Sequence, residues 1–157
     1  MSDLFVDGNI KVSFVSSIAN IAAPTTTELN AGTSLESFIT PTGLQIKPTT
    51  ASVDTSNVAS TFTTQGAGRR SFAITVEMKR QTPTDTAYNT VPYRTSGYLV
   101  VRRTVTSSTA WTSGQSVEVY PVVTGEPETA PPAANEVRKF TSSMMVTSDP
   151  NTRAVIA

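Results

Sequence analysis

Apolar and polar side chains alternate most regularly in residues 71–79: Phe72, Ile74, Val76 and Met78 on one side, Ala73, Thr75, Glu77 and Lys79 on the other. A period of two belongs to a strand with one dry and one wet face. The same pattern predicts a strand over residues 10–16, with Ile10, Val12 and Phe14 on a common face. Residues 97–103 have an apolar middle, which predicts burial on both faces. Alternation returns in residues 116–123, where Val117 and Val119 lie opposite Glu118 and Tyr120; Pro121 puts part of this strand at an edge or bulge. Residues 139–146 form the last strong strand, followed by a turn at Asp149, Pro150 and Asn151 and a tail too short to be a domain. A weaker pair, residues 38–40 and 43–46, is broken by Pro41 and Gly43.

Two short helical turns punctuate the strands. Pro24 and the residues from Thr25 to Asn30 predict the first, stopped at Gly32. Thr82, Pro83, Thr84 and Asp85 offer caps for the second, through Ala87, Tyr88 and Val91 and ending before Pro92. Residues 47–70 break the pattern: Thr, Ser, Asn and Gly dominate and apolar residues are scattered. A structureless stretch longer than about 12–15 residues is uncommon in a compact domain. We expect an extended arm or loop that orders against a neighbouring subunit, with a mobile surface loop as the alternative. Trp111 to Gly114 reads as a turn, and residues 124–136 as a proline-stiffened loop. The whole, residues 1–157, reads as a single domain.

Composition sharpens the β assignment and narrows the chemistry. The chain has 27 Thr and 18 Ser, and β-branched threonine favours half-exposed extended backbone. Cysteine and histidine are both absent. That removes disulfides, thiol nucleophiles, Ser-His-Asp and Cys-His constellations and histidine-bearing metal centres. Only a carboxylate-only site stays conceivable, so no enzyme, cofactor or metal is expected. Twelve basic and twelve acidic residues cancel, leaving no overall field for nucleic acid or an anionic membrane. The opening residues lack a basic-then-apolar pattern, so no signal peptide is expected, and no apolar run reaches membrane-spanning length.

Several segments, in order, resemble the major tail proteins (tail tube proteins) of long-tailed phages, most closely those of phages infecting actinobacteria. They are LFVDGNIKVSFV, TTTELNAGTSLESFITPTGLQI, RRSFAITVEMKR, DTAYNTVPYRTSGYLVVRR and KFTSSMMVTSDPNTRAVIA, which together span essentially the whole chain. The resemblance implies a mainly β protomer, a β-sandwich or barrel-like tail tube fold with one short flanking α-helix and a long extended loop. It implies hexameric rings stacked into a tube whose inner wall is a continuous barrel. Tape-measure, tail terminator and baseplate or distal tail proteins are then the partners. Viral DNA passes through the lumen without specific binding, and the product is a virion component made and assembled in the host cytoplasm.

Candidate residues follow from these expectations. Glu77 and Glu118 sit on polar sides of their strands and are expected to face the lumen, where a ring of carboxylates repels phosphates over about 8 Å at physiological salt. The competing reading puts both in outside solvent. Basic doublets occur at Arg69-Arg70, Lys79-Arg80, Arg102-Arg103 and Arg138-Lys139. No aromatic platform interleaves with them, so inter-subunit pairing with Glu126, Glu128 or Asp54 is preferred over nucleic-acid binding. Lys47 belongs to the same set of expected inter-subunit contacts. The stretch from Gln65 to Arg70 lacks the Lys-Ser/Thr ending of a phosphate loop and reads as a hinge. Trp111 reads as core by default and as an inter-subunit anchor in the sharper alternative. Asp3, Asp7 and Asp149 lack the spacing of a calcium loop and read as turn formers. Other classes stay open: a secretion-system-like tube, a capsid decoration protein, or an Ig-like carbohydrate-binding or adhesion module.

Overall fold

The computed structural model describes residues 1–157. Its elements run β1 (Lys11–Val15), α1 (Thr26–Asn30), β2 (Thr33–Ser34), β3 (Ile39–Asp54), β4 (Gln65–Lys79), α2 (Thr86–Thr90), β5 (Ser96–Arg102), β6 (Ser116–Thr124), β7 (Glu128–Thr129), β8 (Lys139–Val146) and β9 (Asn151–Val155). The strands form one antiparallel sheet in the order β2-β1-β5-β6-β8-β4-β3, with β7 added to β8 and β9 to β6. Strand β6 is the pivot. One edge lies along β5; on the other, its N-terminal half pairs with β9 and its C-terminal half with β8. Pro121 falls where the partner changes. Its carbonyl accepts from the Thr147 N–H at 2.9 Å, so its missing N–H points to the same edge, into the gap between the two ladders, and costs no ladder bond.

The curling sheet makes two cores. The first lies between β1, β5 and β6 (Val12, Phe14, Leu99, Val101, Tyr120, Val122) and β4 and β8 (Ile74, Val76, Met78, Phe140, Met144). The second lies on the far side of β1, β5 and β6, where Val15, Val100, Val117 and Val119 meet Leu29 of α1, Ile18, Trp111, Ala154 and Ile156. Leu99 and Val101 therefore face one core and Val100 the other, as the unbroken apolar run predicts. This is a β-sandwich-like, mainly β protomer.

The structure corrects several details. There are two short helices, as the residue pattern predicts, where the resemblance implies one. Thr25 caps α1 in a complete capping box with Glu28. Gly32 follows it for lack of room, since a Cβ there would lie 2.6 Å from the Ser13 hydroxyl. Asp85 makes no cap bond at α2, because its carboxylate is taken by Arg80 and by the Gln81 N–H. The pair at residues 38–46 is one strand, with Thr40–Gly43 absorbed as an irregularity between Ile39↔Met78 and Leu44↔Val76. The tail contributes β9, which completes the second core.

The largest correction concerns residues 47–70. They are the distal half of a β-hairpin, paired from Lys47↔Ala73 to Thr50↔Arg70 and, after a bulge at Ala51, Gly68 and Arg69, from Ser52↔Ala67 to Asp54↔Gln65, with residues 55–64 at the tip. The Gln65-to-Arg70 stretch is strand with one register shift, not a hinge. Alternation is missing because neither face of this half is buried, so nothing selects apolar residues on one side. Threonine propensity holds the strand conformation without it.

Candidate assembly surfaces

The face of β4 turned away from the first core continues across its neighbours. Cross-strand partners share a face, giving a row of Gln45, Thr75 and Ser143 and another of Glu77 and Thr141. Lys47 stands on this face toward the arm, and Lys79 and Lys139 pair directly at the other end. Its middle is therefore mostly hydroxyl and amide. The Glu77 carboxylate accepts from the Thr40 hydroxyl at 2.9 Å, and the Lys139 ammonium lies 3.9 Å away. Gly43 makes this approach possible: a Cβ there would lie 2.5 Å from the Glu77 carbonyl oxygen.

Glu118 does not join Glu77. It shares the face of Tyr120 and Val122, on the first-core side of β6, at the rim. There Arg103 Nε donates to its Oε2 at 2.5 Å and the Tyr120 hydroxyl donates to its Oε1 at 2.9 Å. Burial, reinforced by that carboxylate, pushes the Tyr120 phenol up from its ordinary range. The two glutamates thus lie on opposite faces of one sheet, and both have a cation beside them.

The basic doublets mostly find partners within the chain. Arg70 bonds Asp149 at 2.5 Å and lies over Phe72. Arg80 bonds Asp85 and stacks on Tyr88 at 3.8 Å. Arg103 pairs with Glu118, and Lys139 with Glu77 and with Glu136 at 3.6 Å. Arg69, Lys79 and Arg138 form no ion pair within the chain.

The doublet pattern does not set Arg102 apart from its neighbour. It is fully buried, and its guanidinium donates to the carbonyls of Ala110, Thr106 and Thr109 and to Gln115 Oε1 at 2.8–3.1 Å. Trp111, itself buried, lies 5.1 Å below it, and Lys11 stands 5.3 Å from the same ring. Desolvation lowers the pKa of this arginine, partly opposed by the Glu36 carboxylate. Arg102 thereby gathers the loop between β5 and β6 into one piece. The indole is buried within its own protomer, in the second core. Parity was the available signal: Arg102 falls on the same side of its strand as Val100.

The exposed apolar side chains concentrate elsewhere. Val53, Val58 and Phe62 stand out at the hairpin tip, the last two 107% and 77% exposed, and Leu4, Phe5 and Val6 are exposed near the N-terminus. Lys47, Asp54, Arg69, Glu126 and Glu128 are all at the surface. Asp54 accepts from the hydroxyl and N–H of Ser56, which lowers its pKa.

The sequence model of the phage tail tube protein family matches residues 1–157. The chain belongs to that family. As a tail tube protein it is a structural component of the virion tail, and no helix in it is long and apolar enough to cross a membrane. No curated protein sequence matches it. Among solved structures it is similar to a chain in the six-fold symmetrised cryo-EM structure of the anti-feeding prophage baseplate, at a TM-score of 0.56 and 13% identity over 96% of each chain. At that identity the likeness shows the fold of the tail tube protein and no more.

Proposed function

We propose that copies of this tail tube protein close into hexameric rings that stack into the tube, with the Glu77 face of β3, β4 and β8 lining the channel. The family match across the whole chain carries this reading. Strand β3 supports it, because it ends the sheet and leaves one long edge without a ladder partner. Such an edge is an aggregation hazard in a monomer, and ring closure removes it. The middle of the lining is then hydroxyl and amide, with Glu77 countered by Lys139 and with Lys47 and Lys79 only at its ends, so DNA phosphates meet no continuous basic ladder and slide past. Glu118, on the opposite face, orders the β5–β6 rim instead. The exposed hairpin is the arm between subunits. Tape-measure, terminator and baseplate or distal tail proteins meet the tube at its ends and interior, and the virion assembles in the host cytoplasm.

Negative-stain microscopy of the concentrated, purified chain is expected to show hollow rings or tubes. A compact monomer at every concentration would overturn the reading. A second reading, a secretion-system-like tube, is kept because the structural neighbour comes from a prophage baseplate; locating the chain in the tail shaft of purified virions separates the two.

A further inference from the structure

The hairpin tip and the proline-rich loop lie at opposite ends of β4. Gln65 pairs with Asp54 at the tip, whereas Lys79 pairs with Lys139 at the base, where Arg80 and Arg138 bond through their backbones. The strand between them extends the two ends roughly 45 Å apart. Beyond Gly68 the tip carries three exposed apolar side chains and a single charge, Asp54, which stays ionised. At the base, residues 129–139 enclose a cleft of about 290 Å³ walled by Pro131, Pro132 and Val137 and by the cations Arg80, Arg138 and Lys139. Glu136, the one carboxylate in its wall, is already held by Lys139. Arg138 is exposed and unpaired, and Val137 is 59% exposed.

We propose that the hairpin tip of one copy docks in the base cleft of the next, Phe62 against Pro131, Pro132 and Val137, and Asp54 on Arg138. This deepens the stacked-ring reading and rests on it. Tip and cleft each lack what the other supplies: an apolar wall for the aromatic ring, and a cation for the only charge. Two other sizeable grooves fit Asp54 less well: the one bounded by Ile10, Ile39 and Leu44 carries Asp7 and Glu36, which repel it, and the cation of the one at Arg70, Phe72 and Pro150 is already taken by Asp149. Because tip and cleft are different surfaces at opposite ends of one strand axis, the contact is head-to-tail. A contact of that kind closes into a ring when its rotation permits and otherwise repeats without limit; with copies displaced along the strand axis it repeats from ring to ring.

The chain contains no cysteine, so engineered thiols report contact without background. F62C and V137C chains are assembled separately and as a mixture, then oxidised. A cross-linked dimer in the mixture, absent or many-fold weaker in either chain alone, is the expected result. A mixture that gives no dimer, or no more dimer than either chain alone, overturns the docking. Charge reversal gives the second arm. D54K and R138E are each expected to lose stacked tubes while retaining single rings, and the exchange D54K/R138E to restore them. Failure of the exchange, or full stacking by either single variant, overturns the pairing. Loss of rings as well as tubes in the unmodified chain would instead remove the stacked-ring reading itself, and the docking with it.

Discussion

The β3–β4 hairpin has two halves that share a ladder and differ in what packs on it. Near its base, Leu44, Ile46, Ile74, Val76 and Met78 rest on the first core; beyond Lys47 and Ser71 both faces are largely exposed. A hydrogen bond contributes only about 1 kcal/mol net when water competes for its groups, and an isolated two-stranded ribbon is marginal in water. The base is therefore held by burial. The distal half is held by strand propensity in the free chain and, on the docking proposed above, by its neighbour in the tube. One strand can serve as core in one half and as interface in the other.

Substitutions in the two halves are expected to separate these roles. Phe140, fully buried and edge-on to Tyr88 at 5.2 Å, anchors the base. F140A is expected to cost about 3–5 kcal/mol in denaturant unfolding of the dilute chain. Arg102 tests whether the second core tolerates losing its polar centre. R102A orphans four acceptors and uncovers Trp111, so a loss of about 3 kcal/mol and a red-shifted tryptophan emission are expected. R102K is expected to recover little, because an ammonium cannot reproduce the guanidinium fork.

The effect at α1 is smaller and depends on pH. T25A is expected to cost about 1 kcal/mol. The Glu28 carboxyl accepts from the Thr25 and Ala19 N–H groups, which lowers its pKa below the ordinary glutamate value. Its contribution is therefore complete above the unfolded pKa and lost as pH falls through the folded one. Unfolding midpoints of the native chain and E28Q should differ near neutrality and converge in acid. A constant difference across that window contradicts the assignment.

The smallest effect on the monomer belongs to the tip. V58S and F62S are expected to change its stability by less than about 0.5 kcal/mol while impairing tube formation. Hydrogen exchange sharpens the point: amides of residues 49–54 and 65–70 should exchange faster than those of residues 74–78 in the dilute chain and become protected in the tube. Equal protection of both segments in the monomer would erase the distinction between the halves.

By itself the sequence determined that the chain is mainly β, because alternation at residues 71–79 and 116–123 reports a buried face wherever one exists. It also determined both short helical turns, whose signals are local, and the double burial of β5. Tertiary structure alone decided that residues 47–70 are a ribbon, that Glu77 and Glu118 fall on opposite faces, and that Arg102 is interior. The reason is common to all three. Side-chain pattern records contact with a core: it is silent where both faces are wet, and where a strand changes partners it cannot say which core a face will meet. Nor can it foresee that backbone carbonyls from a distant loop will solvate a buried cation.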